Sequence, residues 1–141
     1  MMKKLNIIAG LSMLLIPLAM TSCKKEVPLS EAIIGQWEVQ EKTVVIYEND
    51  IKKESITDFL GSNEEVYQFA EGGTGIYNEN GNVVGLFSWT INGSTLTFQG
   101  IDSLECSVTI DDDILIWSYS SVDTQDPTIK YDYIITAKKI S

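Results

Sequence analysis

Among its 141 residues the chain has no histidine and no arginine, only two cysteines and three prolines. Without histidine, triads that use an imidazole base and zinc sites built on imidazole are excluded. Without arginine, so are bidentate guanidinium clamps on phosphate or carboxylate. A reaction would have to run on carboxylates, lysines, tyrosines or a thiol, so the sequence reads as non-catalytic, with no cofactor and no metal expected. Positive charge is also scarce, ten lysines against 20 acidic residues. Nucleic acid is excluded as a partner, because binding it requires a basic surface that neutralises phosphates.

Lys3 and Lys4 are followed by an uncharged run from Leu5 to Ser22. A basic start, an apolar centre and small residues before a cut make a secretory signal peptide. Asn6, Pro17, Thr21 and Ser22 leave fewer than the roughly 20 predominantly apolar residues that a membrane span needs. Residues 1–22 are therefore expected to be removed, leaving 23–32 as anchor and linker and 33–141 as one folded domain. Removal leaves eight lysines against the 20 acids, a net charge of −12.

Met20-Thr21-Ser22-Cys23 resembles a bacterial lipobox. That resemblance implies that Cys23 becomes the first mature residue and carries acyl chains such as palmitate. Each buried methylene contributes about 0.8 kcal/mol, so two or more chains anchor a protein stably. The other reading of Cys23 is a disulfide to Cys106, which an exported chain permits. Lys24 and Lys25 open a charged leash, broken by Pro28, and each would add about 1 kcal/mol beside anionic headgroups. The expectation is an exported protein, lipid-anchored in the cell envelope and assigned to the outer membrane, its side of the membrane left open.

The rest of the chain alternates strand patterns with turn signals. Eight strands are expected, at 35–47, 65–69, 74–78, 83–91, 94–98, 103–110, 114–120 and 128–140. Asn80-Gly81 and Asn92-Gly93 are preferred type I′ hairpin pairs, because both central residues take positive φ. Phe87, Trp89 and Ile91 fall on one face, as do Leu104, Cys106, Val108 and Ile110, and Leu115, Trp117 and Tyr119. One buried and one wet face is the mark of an antiparallel sheet. Closing such a meander removes its exposed edges, so the fold class expected is all-β, an eight-stranded antiparallel up-and-down barrel. Residues 49–63 are too long for a hairpin. Ser55 and Asp58 resemble a capping box, and Ile56, Phe59 and Leu60 could form the apolar face of a short helix acting as a lid, or the segment is a covering loop at the base.

Ile33-Ile34-Gly35-Gln36-Trp37-Glu38-Val39 carries a family resemblance. Gly-x-Trp at the start of the first strand resembles the lipocalins, and more closely the lipocalin-like domains of Bacteroidota envelope lipoproteins. The resemblance implies that Trp37 closes the base of the barrel beneath a cation from the last strand, here Lys138 or Lys139. The Thr-Asp-Tyr box of typical lipocalins is not found, and no room remains for their flanking helix.

Inward residues expected to line a pocket are Tyr67, Phe69, Phe87, Trp89, Phe98, Trp117 and Tyr131 or Tyr133. Barrels of this size either hold one small ligand or are filled by side chains. The first case gives a binder of a small apolar or amphipathic molecule; the second gives a non-catalytic module for an envelope protein partner. Asp111-Asp112-Asp113 reads as a solvated turn, Gly72-Gly73-Thr74-Gly75 as a hairpin, and Cys106 as a buried, inert thiol.

Overall fold

The computed structural model describes residues 27–100 and 103–141. The expected leader, Lys24, Lys25 and the attachment at Cys23 lie outside the described residues. Among the described residues one short helix, α1 (Leu29–Ala32), precedes nine strands: β1 (Gly35–Glu48), β2 (Ile51–Phe59), β3 (Glu65–Ala70), β4 (Thr74–Glu79) and β5 (Asn82–Asn92), then β6 (Thr95–Gln99), β7 (Ser103–Asp111), β8 (Ile114–Val122) and β9 (Ile129–Lys139). Every pairing is antiparallel. The sheet runs β2-β1-β3-β4-β5-β6-β7-β8-β9, and β1 also pairs with β9.

That last pairing closes eight of the strands, β1 and β3 to β9, into a barrel consistent with a lipocalin-like domain. Closure runs the length of β1, from Trp37 opposite Lys139 to Glu48 opposite Ile129. Gln36 N–H donates to Ser141 O at 3.0 Å, and Ile140 N–H donates to Gln36 O at 2.9 Å, continuing the seam past the end of β9.

Residues 49–63 form neither a lid helix nor a loop at the base. They hold β2, whose nine residues are all exposed, and Ser55 and Asp58 cap nothing. Asn49 and Asp50 take φ of 52° and 65°, the twin positive values of a type I′ turn, so β2 folds straight back on β1. Branched Ile51, Ile56 and Thr57 suit an extended chain, and the register pairs Val44 with Ile56 and Thr43 with Thr57. β2 and β3 share one edge of β1. Glu41 pairs with Phe59 in β2, whereas Glu38 pairs with Val66 in β3, and residues 60–64 connect the two, with Leu60 N–H donating to Gln40 O at 2.9 Å. The second strand of the meander is thus broken, and its upper piece is β2.

The consequence is an asymmetric rim. The long strands β1, β8 and β9 continue past their neighbours and, with β2, form a four-stranded tongue above one side of the barrel. Since β2 covers no core, Phe59→Ser should change stability by less than about 0.5 kcal/mol, as exposed positions usually do. Phe59 is 78% exposed. Urea denaturation checks this; a loss of several kcal/mol would mean that β2 covers the interior.

At the opposite end the barrel is shut. Trp37 is fully buried, its Nε1–H donates to Ile33 O at 2.7 Å, and Lys139 Nζ stands 5.5 Å from the ring centroid. Lys138 lies one residue earlier and is exposed, opposite Glu38. Ile33 is fully buried beside Trp37, and Leu29 of α1 packs on the same cluster. Asn80-Gly81 forms its turn with φ of 51° and 84°. The other asparagine turn differs by one residue. Asn92 pairs with Thr95, which makes Gly93 (φ 63°) and Ser94 the central pair, so glycine alone supplies the positive φ, as in a type II′ turn. Asp112 and Asp113 form the β7–β8 turn, and Gly72 and Gly73 the β3–β4 turn.

Candidate ligand site

Alternation along each ring strand sends the large rings inward, where they meet as one network. Trp89 contacts Phe69 edge-on at 5.7 Å between centroids, Phe69 contacts Phe87 at 5.4 Å, and Phe87 contacts Phe98 at 5.5 Å. Phe98 and Tyr67 both reach Trp117, at 5.9 and 5.1 Å. Edge-to-face and tilted pairs of this kind contribute about 0.5–1.5 kcal/mol each beyond the area they bury. The rings fill the lower and central barrel. What they leave is a cavity of about 130 Å³ lined by Tyr67, Phe98, Leu104, Trp117, Tyr119 and Ile135.

Of the pocket residues expected from the sequence, Tyr67, Phe98 and Trp117 line this cavity. Phe69 and Trp89 form the packed floor below it, where Trp89 Nε1–H donates to Thr74 O at 2.8 Å. Phe87 leans over Gly75, and a Cβ there would overlap its ring. Tyr131 stays outside the cavity, on the tongue. Its hydroxyl donates to Asp123 Oδ2 at 2.8 Å, and its neighbour Tyr133 stacks on Tyr119 at 4.8 Å. Ile56 and Phe59 are exposed on β2, away from the cavity, while Leu60 is half-buried and packs on the core. Leu104 and Ile135 are lining residues that a search for rings in the sequence passes over, and Tyr119 is a ring not expected among the pocket residues. The period-2 pattern of β7 and β8 already places Leu104 and Tyr119 inward.

Burial governs the chemistry of the lining. It holds the Tyr67 phenol far above the usual tyrosine range, with Glu65 adding to the effect, and raises Tyr119 through burial and then through Tyr133. It pushes the Cys106 thiol up to about 11, so Cys106, a free thiol only 2% exposed, stays protonated and unreactive at neutral pH. Asp123 goes the other way. Backbone N–H donors from Gln125 first, then the Tyr131 hydroxyl, lower its carboxyl.

A raised phenol is neutral in both folded and unfolded chains below about pH 10, the unfolded value, so its contribution is complete there. Above that pH the unfolded chain releases the proton and the folded chain does not, and stability falls by up to about 1.4 kcal/mol per pH unit for each such group. Alkaline unfolding should therefore begin near pH 10, or somewhat earlier through Cys106. Tyr67→Phe should flatten the decline, read from urea midpoints between pH 8 and 12. An unchanged slope would place the Tyr67 hydroxyl in water.

Along the rim Glu65 stands opposite Glu79 in the β3–β4 register, and Lys42 pairs with Glu65. Like charges directly opposite oppose strand pairing, and the lysine offsets them. Among the described residues no group of three or more Cys, Asp or Glu side chains could hold a metal ion, and no helix is long and apolar enough to cross a membrane. No protein-family model, curated protein or solved structure matches the chain.

Proposed function

We propose that this is a non-catalytic envelope protein, held to a membrane by acyl chains on Cys23, whose barrel takes up a small apolar or amphipathic molecule. The observation that carries the ligand half is the ring-walled cavity between Tyr67, Trp117 and Tyr119, closed below by packed aromatics. Its 130 Å³ corresponds to about four waters at ~30 Å³ each. Drug-sized ligands occupy pockets of roughly 300–1,000 Å³. The apolar part of the ligand must therefore be short.

The lipobox-like Met20 to Cys23 supports the anchor half. The described chain enters the barrel at its shut end, through α1 and Trp37, so a leash from Cys23 joins there. A leash joining there leaves the cavity and the tongue at the end of the barrel far from the anchor, with Lys138 and Lys139 at the near end. Labelling cells with an alkyne analogue of palmitate should mark the wild-type protein, and Cys23→Ser should abolish both label and membrane retention. A Cys23→Ser protein that stays membrane-bound would sink the anchor.

For the ligand, native mass spectrometry of residues 24–141, exported without the anchor and gently purified, should show a retained small molecule that Trp117→Ala releases. A clean apo mass that persists after incubation with envelope lipid extract would end this reading. A specific surface favours a second reading in that event. Val83, Val84 and Leu86 lie exposed, Leu86 at 74%, beside a groove of about 490 Å³ walled by Ala70, Ile76 and Phe87, a surface of the kind that receives protein partners.

A further inference from the structure

The wall of the barrel is open on one side. β7 and β8 pair only from Ser107 opposite Ser118 to Asp111 opposite Ile114. Beyond that point residues 103–106 of β7 pair with β6 alone, and residues 119–122 of β8 with β9 alone. Between the diverging strands lies a cleft of about 520 Å³. Its outer walls are polar, with the hydroxyls of Thr95, Ser107, Ser118 and Ser120 and the carboxylates of Glu105 and Asp132. The lining is completed by Ile134 and by two inward-facing residues, Cys106 and Tyr119. Tyr119 lines the internal cavity as well, and Leu104, across the gap on β7, lines it too. The polar cleft and the ring-walled cavity therefore share Tyr119, at the split between β7 and β8.

We propose that this gap is a lateral portal and headgroup site for an amphiphile with an uncharged polyhydroxyl head, such as an alkyl glycoside or a glycolipid. The head would sit in the cleft and the apolar tail would pass Tyr119 into the cavity. The proposal rests on the binding function above and adds to it the route of entry and the chemistry of the head.

The lining selects the head. Serine and threonine hydroxyls both donate and accept, and carboxylates accept from sugar hydroxyls. Asp132 is already held by Ser120, whose Oγ–H donates to it at 2.6 Å, and by Lys130 Nζ at 3.8 Å. Hydroxyls therefore outnumber uncommitted carboxylates, which suits a neutral polyol better than a cation. An anionic head would face Glu105 and Asp132 in a protein whose acids outnumber its lysines two to one. The volumes agree with a wide head and a short tail, about 520 Å³ outside against 130 Å³ within.

The test is an NMR titration of residues 24–141 with hexyl β-D-glucoside, beside glucose alone, hexanoate and hexyltrimethylammonium. Hexyl glucoside should shift the amides of Ser118 and Ser120 together with the Trp117 indole N–H, whereas glucose at the same concentration should leave the indole still. Ser120→Trp, at an exposed position on the outer face, should weaken hexyl glucoside by about tenfold or more. Ser118→Val should act in the same direction, and Tyr131→Trp on the tongue should leave affinity within about twofold. A Trp117 shift with silent Ser118 and Ser120 amides would overturn the portal and leave the binding function standing, with entry over the rim. Equal binding of glucose alone would make the cleft a sugar site unconnected to the interior, and tighter binding of hexyltrimethylammonium would overturn the headgroup assignment. If no probe moves the Trp117 indole, the binding function itself fails.

Discussion

Trp37→Ala should cost about 3–5 kcal/mol, the range for removing a buried large ring, and is the most damaging single change expected in this chain. The indole is fully buried, and it holds three things at once: its Nε1–H on Ile33 O, its face beneath Lys139, and its edge in the cluster under the barrel. Deleting it leaves a cavity at the seam where β1 meets β9 and orphans a buried carbonyl. Lys139→Met keeps the stem and removes the charge, so it should lose only the cation–π part, about 0.5–2 kcal/mol. Lys138→Met should be close to neutral. Urea midpoints of the three variants check the order. Equal losses at Lys138 and Lys139 would show that the last strand contributes general charge and not a specific lid on the indole.

Gly75→Val should destabilise by about 1–3 kcal/mol, the usual range for overpacking a filled interior. Phe69, Gly75 and Phe87 lie side by side across β3, β4 and β5. The Phe87 ring occupies the space above Gly75 that a side chain would take, and contacts with Phe69 and Phe98 hold it there. Glycine is thus the small member of a large-small-large row, and its freedom in φ plays no part. Adding Phe87→Ala to Gly75→Val should recover part of the loss, because the second change vacates the space the first one needs. A double variant that is simply the sum of the two losses would contradict this packing.

The ring of eight strands was legible because period-2 alternation and turn chemistry agreed along the whole chain. Asn80-Gly81 fixes one hairpin by itself, and the inward set Leu104, Cys106, Val108 and Ile110 follows from counting by two. Residues 49–63 were misread for a physical reason. Ile56, Phe59 and Leu60 have helical spacing, and Ser55 with Asp58 imitates a cap, whereas the turn that folds β2 back is Asn49-Asp50, a weaker signal than Asn-Gly. An edge strand exposed on both faces has no burial pattern to announce it. The cavity was only partly legible for another reason. Sequence tells which rings point inward, but not which of them pack on one another and which leave space. Phe69, Phe87 and Trp89 went to packing, Tyr131 rose with the tongue beyond the interior, and aliphatic Leu104 and Ile135 became walls. The split between β7 and β8 left no trace in the pattern, since both strands alternate normally through it.

The short apolar site beside Trp117 can be probed by titrating residues 24–141 with straight-chain alcohols from butanol to decanol while following the Trp117 indole N–H by NMR. The cavity's 130 Å³ predicts affinity that rises by up to about 0.8 kcal/mol per methylene over the first few carbons and then levels off. An indole that ignores every alcohol, or an affinity that climbs unbroken to decanol, would contradict it.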